Sequence, residues 1–309
     1  MSSYPSVAVM LCSFNGSKYI SEQINSILMQ KSVQVTLFVH DDGSNDTTRF
    51  KLHEAQQKWG IKRIKLLFTD NMGYPNSFYW LLDKTPDEFD YYAFADQDDV
   101  WVDDKLSCAI SMLNTIDSDN IPLLYGSSTT NVDEQLRPIK SYGRNYPYVN
   151  NVISFFMRVR IAAHTMVFNQ ALKDALSSFY PEVSDVGHDQ LALLVASASG
   201  KVMIDNESHV LHRRDDTCLS GSGRGLKARI VSELKSLSGM PIDRVRLAQK
   251  LLDSFSETLD QDERYVLQLL SVMRKKTSAR IKLAISPMLR CGIGIVRVKT
   301  IISLVINRY

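Results

Sequence analysis

The chain has 309 residues, of which 44% are hydrophobic and 23% are charged. This composition is typical of a globular protein rather than a disordered one, and the length allows one large α/β domain with an appendage, or two domains. No run of about 18 uncharged apolar residues occurs, and the apolar run near the N-terminus is short and lacks a basic flank, so we expect neither a membrane span nor a signal peptide.

The net charge of +2 conceals an uneven distribution. Residues 271–309 contain nine Lys or Arg and no Asp or Glu, whereas residues 1–270 contain 27 basic and 34 acidic side chains. A basic tail on an acidic body favours an anionic surface as partner. Apolar residues interleave with the basic ones, so the tail either lies on an anionic membrane or packs on the enzyme body with a solvated basic face. Nucleic acid is not expected, because the tail has no aromatic residue except Tyr309.

The first half of the sequence alternates between strands and helices. Short β-prone runs at 7–11, 35–39, 64–68 and 91–95 are separated by helical patterns that end near residues 29, 59 and 82. This alternation predicts a mostly parallel sheet with helices on both faces, in which ligands bind at the carboxyl ends of the strands. Polar clusters follow the four strands at 12–16, 41–46, 69–73 and 96–99.

The second half is less regular. Strands are predicted at 123–126, 162–168 and 201–205, helices at 170–179 and up to 199, and a polar loop at 209–224. From residue 225 onward the pattern is helical. We therefore predict two domains, at 1–224 and at 225–309.

The four cysteines, Cys12, Cys108, Cys218 and Cys291, are scattered and form no C-x-x-C pair. This spacing indicates reduced thiols in the cytosol. It argues against both a disulfide framework and a zinc site.

The fourth strand runs directly into an acidic cluster at 96–99. Alternate residues of an extended backbone face the same side, so Asp96 and Asp98 are expected to lie together. Two close carboxylates need a cation or a proton between them, and oxygen ligands suit a hard divalent ion. The alternative is a solvated acidic loop.

Three motifs resemble those of family 2 glycosyltransferases with the GT-A fold. They are S-F-N-G after the first strand, D-D-G-S-N-D after the second and D-Q-D-D-V-W after the fourth. The last motif is similar to that of the rhamnosyltransferase-like branch, which builds bacterial cell-surface polysaccharides such as the O-antigen of lipopolysaccharide. The resemblance covers roughly residues 5–222. It implies an α/β GT-A fold with a mostly parallel central sheet, followed here by a helical, basic C-terminal extension.

The resemblance implies a nucleotide-sugar site at these strand ends. The ring of Phe14 would stack on the base, and Asp42 would accept the N3–H of uracil or thymine. For residues 41–46, a turn with a helix cap is the structural alternative. The residues expected to contact the nucleotide-sugar are Cys12, Phe14, Asn15, Asp41, Asp42, Asp96, Gln97 and Arg213.

The resemblance also implies Mn²⁺ or Mg²⁺ held by Asp96 and Asp98, with Asp98 as the direct ligand and Asp99 as support. Arg213 would pair with the diphosphate. The family histidine that follows this arginine is replaced by Asp215, so His209 or His212 would have to substitute. Trp101 either packs under the site or offers a platform to a sugar, and residues 220–225 resemble a lid.

On the acceptor side, Asp189 matches the family general base, although it could simply cap a helix. His188 either tunes the charge of Asp189 or contacts the acceptor, or it lies exposed on the surface. His164 contacts the donor sugar or the acceptor, or is a core histidine.

These residues predict an inverting, metal-dependent glycosyltransferase. It would move L-rhamnose from dTDP-rhamnose, or a hexose from a UDP-sugar, onto a hydroxyl of a lipid-linked glycan. We expect the protein in the cytoplasm, either free or attached peripherally to the inner face of the cytoplasmic membrane. The alternatives are a nucleotidyltransferase, which would want a glycine-rich basic loop after the first strand, and a non-catalytic glycan-binding scaffold. The loop 12–18 has one Gly and one Lys, which disfavours the former.

Overall fold

A computed structural model describes residues 4–117, 120–139, 150–157, 161–183, 185–214, 243–289, 301, 302 and 304. The chain divides into two units. Unit 1 contains residues 1–141, 161–192 and 201–216, and unit 2 contains residues 142–160, 193–200 and 217–309. The predicted domain boundary after residue 224 lies outside the described residues, so it stays a prediction.

Unit 1 contains the sheet. Its strands are β1 (Ser6–Ser13), β2 (Gln34–Asp42), β3 (Ile64–Thr69), β4 (Tyr91–Ala95), β5 (Val100–Trp101), β6 (Leu123–Val132), β7 (Val167–Asn169) and β8 (Lys201–Arg213). They lie in the order β3-β2-β1-β4-β7-β6-β8-β5. Neighbours from β3 to β4 are parallel, as are β6 and β8, whereas β7 runs antiparallel to β4 and β6, and β5 runs antiparallel to β8.

Helices follow most of the strands. They are α1 (Ile20–Leu28), α2 (Thr48–Trp59), α3 (Asn76–Lys84), α4 (Lys105–Leu113), α5 (Val152–Met157), α6 (Gln170–Phe179), α7 (His188–Ser199), α8 (Arg244–Phe255), α9 (Gln261–Val272) and α10 (Thr277–Ile285). Short 3₁₀ turns occur at Ala163–Thr165, Tyr180–Glu182 and Pro287–Leu289.

Alternation along the strands gives the sheet two apolar faces. Val7, Val9 and Leu11 of β1 are buried in one core cluster with residues of α1, α2 and α4. On the other face, the Phe94 ring lies 5.9 Å from the Phe78 ring of α3 and 5.0 Å from the ring of Phe168. Burial of each such side chain contributes about 1.5–3 kcal/mol, which fixes the sheet between two helical layers.

The predicted strands of the first half are confirmed, and two predictions for the second half are wrong. Residues 163–165 form a 3₁₀ turn and the strand begins at Val167. Strand β8 continues to Arg213, through residues predicted as loop, because both β6 and β5 pair with it. Strand pairing between distant segments overrides the polar composition of 205–213.

In unit 2, α8 and α9 bury leucines such as Leu251 and Leu267. Helix α9 begins with a capping box between Asp260 and Glu263. A Glu263 oxygen also accepts the Val152 amide at 3.0 Å, which ties α9 to α5. Within the part of the chain that is described, no helix combines the length and apolarity of a membrane span.

A lysine side chain lies within the core of unit 1. Lys105, the first residue of α4, is fully buried. Its Nζ lies 3.6 Å from the centroid of the Trp101 ring and has no hydrogen-bond partner among the described residues. Burial lowers the pKa of Lys105 to about 7, and the charge of Asp99 only partly opposes this effect.

Replacement of Lys105 by Met should stabilise the protein at neutral pH. Because the folded-state pKa is depressed, the unfolded chain binds the extra proton between about pH 7 and pH 10. Wild-type stability should therefore rise by up to about 1.4 kcal/mol per pH unit in that window. Lys105→Met removes this term, so its advantage should shrink as pH rises, in urea unfolding at several pH values. Lys58→Met, which alters an exposed lysine beside the Trp59 ring, is the control. An equal effect of the two changes at every pH would contradict the assignment.

Candidate active site

A cavity of about 350 Å³ opens at the carboxyl ends of β1, β2 and β4. Its lining contains six of the residues expected to contact the donor or the metal, namely Cys12, Phe14, Asp42, Asp96, Gln97 and Asp98. The other lining residues are Ser13, Asn71, Gly73, Tyr74, Ser77 and Phe78. The sheet topology thus brings together polar clusters that are far apart in the sequence.

The Asp42 carboxylate holds the loop after β3 against the end of β2. One of its oxygens accepts the Met72 amide at 2.7 Å, and the other accepts the Gly73 amide at 2.9 Å. Each carboxylate oxygen can accept a second hydrogen bond. Asp42 is therefore fixed in place with acceptor capacity left for a ligand.

Asp41 and Asn15 stabilise the neighbouring turns. The buried Asp41 carboxylate accepts the Ser44 amide at 3.1 Å and the Arg49 Nε at 2.7 Å. The Asn15 side chain accepts the Asn45 amide at 2.9 Å. These contacts fit the turn alternative, and neither residue lines the cavity; their nucleotide contacts stay predictions.

Gln97 positions Phe14 through a pair of reciprocal hydrogen bonds. Its Oε1 accepts the Phe14 amide at 3.0 Å and its Nε2 donates to the Phe14 carbonyl at 3.2 Å. The Phe14 side chain remains 46% exposed. Gly16 is needed here, because a Cβ at that position would overlap the Gln97 amide. The ring is thus held at the mouth of the cavity by its backbone and left available for stacking.

Two histidines lie beside the acidic cluster, and this pairing was not evident from the sequence. His164 Nδ1 lies 3.0 Å from Asp96 Oδ2, and His212 Nδ1 lies 2.8 Å from Asp99 Oδ1. The two imidazole rings stack with centroids 4.7 Å apart. The 3₁₀ turn at Ala163–Thr165 and the unexpected length of β8 are what deliver these two side chains.

The charges of this cluster shift its proton affinities. Burial raises the pKa of Asp98, and the charges of Asp99 and Asp96 add to that effect. Burial alone would lower the pKa of His164, but the hydrogen bond to Asp96 and the charge of Asp99 outweigh it and raise that pKa. Burial likewise opposes ionisation of Asp96, yet the His164 contact holds the pKa of Asp96 below its usual value. His164 therefore provides the local counter-charge to Asp96.

The residues of this cluster fit a divalent cation. One ligand atom each of Asp99, His164 and His212 lie within 4.8 Å of one another. Asp99 Oδ2 and His164 Nε2 are buried without a hydrogen-bond partner among the described residues. No cationic side chain of that part of the chain pairs with Asp98, which lines the cavity. Mixed oxygen and imidazole ligands suit Mn²⁺, while Mg²⁺ prefers oxygen alone.

Arg213 and Trp101 are buried next to the acidic cluster at 96–99. The buried Arg213 guanidinium donates to the Asp98 carbonyl at 2.8 Å, pairs with Glu22 and lies 4.4 Å from the ring of Tyr19. Trp101 is buried in the core cluster, which fits the packing alternative. The predicted diphosphate contact of Arg213 stays a prediction, while Asp215 and the lid at 220–225 lie outside the described residues.

Asp189 lies on the Tyr74 side of the cavity. It occupies the first turn of α7, where one of its oxygens accepts the Gln190 amide at 2.8 Å and the Tyr74 hydroxyl at 3.4 Å. Tyr74 also lines the cavity, and a Cβ at Gly187 would overlap its hydroxyl. Tyr74 was missed from the sequence, where only its position after the polar cluster at 69–73 marked it.

His188 is buried, so its predicted alternative of surface exposure is wrong. Its ring stacks on Phe78 with centroids 3.8 Å apart. Burial lowers the pKa of His188 to about 4, so the ring is neutral at pH 7. Neither ring nitrogen has a hydrogen-bond partner in the described parts of the chain. His188 therefore acts as a neutral aromatic side chain that packs against Phe78, a residue of the cavity lining.

Comparison with known families identifies the chain. The model of glycosyl transferase family 2 matches residues 8–175, which contain the three motifs and the strand ends around the cavity. The chain belongs to glycosyltransferase family 2. The predicted resemblance is therefore confirmed.

Two curated relatives of this family 2 chain are named for sugar transfer. The dTDP-rhamnosyl transferase RfbG of Shigella flexneri is 37% identical over 106 residues, which are 33% of this chain and 36% of that protein. The UDP-Glc:alpha-D-GlcNAc-diphosphoundecaprenol beta-1,3-glucosyltransferase WfgD of Escherichia coli is 30% identical over 171 residues, 54% of this chain and 55% of that protein. The chain thus spans about a third and about half of the lengths of these relatives.

Solved structures of glycosyltransferases share the fold of this family 2 chain. The mannosyltransferase PcManGT of Pyrobaculum calidifontis, in complex with GDP-Man and Mn²⁺, has a TM-score of 0.54 at 14% identity, covering 99% of this chain and 88% of that one. TarS 1-349 of S. aureus, in complex with UDP, has a TM-score of 0.53 at 18% identity, covering 98% of this chain and 92% of that one. At these identities the likeness concerns the fold, and the predicted GT-A class is confirmed.

Proposed function

We propose that this glycosyltransferase is inverting and metal-dependent, and that it transfers L-rhamnose from dTDP-rhamnose, or a hexose from a UDP-sugar, to a hydroxyl of a lipid-linked glycan during cell-surface polysaccharide synthesis. The observation that carries this proposal is the lining of the cavity. Asp96 and Asp98 belong to it directly, and Asp189 is joined to it through Tyr74. The proposal thus assigns one group of carboxylates to the leaving diphosphate and a separate carboxylate to the attacking hydroxyl.

The nucleotide end of the cavity supports a pyrimidine nucleotide as the carrier of the donor sugar. Phe14 offers an exposed ring, and Asp42 offers a fixed carboxylate that suits a pyrimidine N3–H. The names of the two curated relatives support a dTDP- or UDP-linked donor. The WfgD name supports a lipid-linked acceptor.

Asp98, together with Asp96, would hold Mn²⁺ or Mg²⁺; both carboxylates line the cavity. The bound ion supplies Lewis-acid stabilisation of the negative charge that develops on the leaving diphosphate. Arg213 fixes the Asp98 backbone by donating to its carbonyl, and the Asp98 side chain lines the cavity without a cationic partner among the described residues.

Asp189 accepts the proton of the acceptor hydroxyl as that oxygen attacks the anomeric carbon and the bond to the diphosphate breaks. Tyr74 and the Gln190 amide donate to the same Asp189 oxygen, which orients the carboxylate. The second oxygen is left for the hydroxyl proton. This division of roles gives a single displacement and hence inversion.

The two alternative functions fit less well. A nucleotidyltransferase is disfavoured by the family match and by the single Gly and Lys of loop 12–18. A scaffold without activity would have no need to keep the half-buried Asp98 beside Asp96 and Asp99, an arrangement that burial and like charge make costly.

Asp189→Asn should reduce sugar transfer by about 10²–10⁴-fold, the usual contribution of a general base. Donor binding should stay within a factor of about two, because Asp189 does not line the nucleotide end. Transfer is measured by product formation and binding by calorimetry. Asp174→Asn, which alters an exposed carboxylate of α6, is the control and should remain active. Full transfer activity in Asp189→Asn would overturn its assignment as base.

Asp98→Asn should abolish the effect of Mn²⁺ on nucleotide binding. In the wild type, UDP or dTDP should raise the melting temperature more with Mn²⁺ than without, because a ligand that binds only the folded state stabilises it by mass action. The variant should lose this difference. Asp83→Asn, an exposed carboxylate on α3, should behave like the wild type. Metal-independent binding of both nucleotides by the wild type would contradict the proposed metal dependence.

We further propose that the enzyme acts in the cytoplasm at the inner face of the membrane, where unit 2 contacts anionic lipid. Ile281 and Ile285 are 60% and 73% exposed and lie one helical turn apart on α10. Lys275, Lys276 and Lys282 are exposed beside them. Apolar side chains flanked by lysines suit an anionic bilayer surface, where each lysine contributes about 1 kcal/mol. The four basic residues of the tail from Arg290 on lie outside the described residues.

The double change of Ile281 and Ile285 to Asp should weaken binding to anionic vesicles by at least about tenfold, since each buried isoleucine contributes about 1.5–3 kcal/mol. The measurement is co-sedimentation with vesicles of phosphatidylglycerol and phosphatidylcholine. Tyr265→Asp, at an exposed apolar position on α9, serves as the control. Equal sedimentation of the wild type with neutral and anionic vesicles would exclude the electrostatic part of the proposal.

A further inference from the structure

A second cluster of metal-binding side chains lies outside the cavity, between α4 and β8. Asp104 precedes α4, Cys108 lies one turn later on the same helix, and His209 faces them from β8. One ligand atom from each of the three residues lies within 4.8 Å of the others. None of the three lines the donor cavity.

His209 approaches the Asp104 carboxylate and the Cys108 thiol with its imidazole ring. His209 Nδ1 lies 3.0 Å from Asp104 Oδ1, and the Cys108 thiol lies within 4.8 Å of a ligand atom of each of these two residues. Ligands of a tetrahedral zinc ion, bound at about 2.0–2.3 Å, lie roughly 3.3–3.7 Å apart. The three groups can therefore reach one ion with small side-chain movements.

The second ring nitrogen of His209, Nε2, lies near a carboxylate. A histidine that binds a metal through one nitrogen usually donates its other N–H to such a group, which is here called its outer partner. His209 Nε2 lies 3.4 Å from Asp205 Oδ2, and the Tyr125 hydroxyl donates to the same oxygen at 2.9 Å. A carboxylate that accepts the Nε2 proton leaves the Nδ1 lone pair free for a metal. Asp205 is 16% exposed and Asp104 is 49% exposed, so the cluster is closed on the Asp205 side and open on the Asp104 side.

We propose that Asp104, Cys108 and His209 bind a zinc ion, with water in the fourth position and Asp205 as the outer partner of His209. A thiolate with an imidazole and a carboxylate selects Zn²⁺ or Co²⁺ over the harder Mg²⁺, Ca²⁺ and Mn²⁺. On binding, the Cys108 thiol releases its proton to solvent and the sulfur bonds to the metal. The ion ties α4 to β8.

This site lies on the same strand pair as the acidic cluster of the cavity. Val100 pairs with Leu211 and Trp101 with Val210, and the Val102 amide donates to the His209 carbonyl at 3.0 Å. Asp99 and His212 are at one end of this pair, and His209, which faces Asp104 and Cys108 of the α4 region, is at the other. The proposal is independent of the transferase reaction, since it concerns residues that touch neither the donor cavity nor Asp189.

The test uses the full-length protein, stripped with a chelator and titrated with Co²⁺. The expected result is a thiolate-to-cobalt charge-transfer absorption that saturates at one equivalent and is displaced by Zn²⁺. Cys108→Ser should lose this absorption, whereas Cys12→Ser, which removes the thiol of the donor cavity, should retain it. Asp205→Asn should weaken Co²⁺ binding by about 10–100-fold.

A second measurement needs no variant. Zn²⁺ should slow alkylation of Cys108 at least tenfold, mapped by mass spectrometry, and should leave the rate at Cys12 unchanged. Absence of the absorption from the wild type, its persistence in Cys108→Ser, or unchanged alkylation of Cys108 would each overturn the proposal. In those cases the cluster is an ion pair of His209 with two carboxylates and holds no metal.

Discussion

The fold of unit 1 is arranged around one electrostatic constraint, the gathering of Asp96, Asp98 and Asp99 at the end of β4. Two unit charges about 4 Å apart repel each other by about 4 kcal/mol at a typical protein dielectric. His164 and His212 pair with Asp96 and Asp99 and leave Asp98 without a cationic partner in the described part of the chain. The repulsion is thereby concentrated on Asp98, which lines the cavity, where a divalent cation would relieve it.

The loops around the cavity are held by side chains bonded to backbone groups. Gln97 holds the backbone of Phe14, and Asp42 holds the amides of Met72 and Gly73. The ends of β1, β2 and β4 and the loop after β3 are thus linked before any donor binds. Preorganisation of this kind lowers the ordering cost of binding, so more of the contact energy remains for affinity.

The sequence predicted the strand ends and the acids that line the cavity, because buried strands and the polar residues after them are local patterns. It could not predict His212 beside Asp99, since that contact requires β8 to continue to Arg213 through a polar segment. It also missed Tyr74, which reaches Asp189 across more than a hundred residues. Contacts between distant segments depend on sheet order and register, which periodicity does not encode.

The proposed zinc site also depends on contacts between distant segments that the sequence pattern could not predict. Spacing along the chain argued against a zinc site, because Cys108 has no second cysteine nearby in sequence. The pairing of β5 with β8 brings His209 to the start of α4 and supplies the missing ligand. Carboxylates and imidazoles then lie at the Asp99 end of the strand pair, whereas at the other end His209 faces the Cys108 thiol of α4. Because thiolate sulfur binds Zn²⁺ far better than Mn²⁺ or Mg²⁺, the two ends select different ions, and a zinc ion at Cys108 would not compete with the ion of the donor.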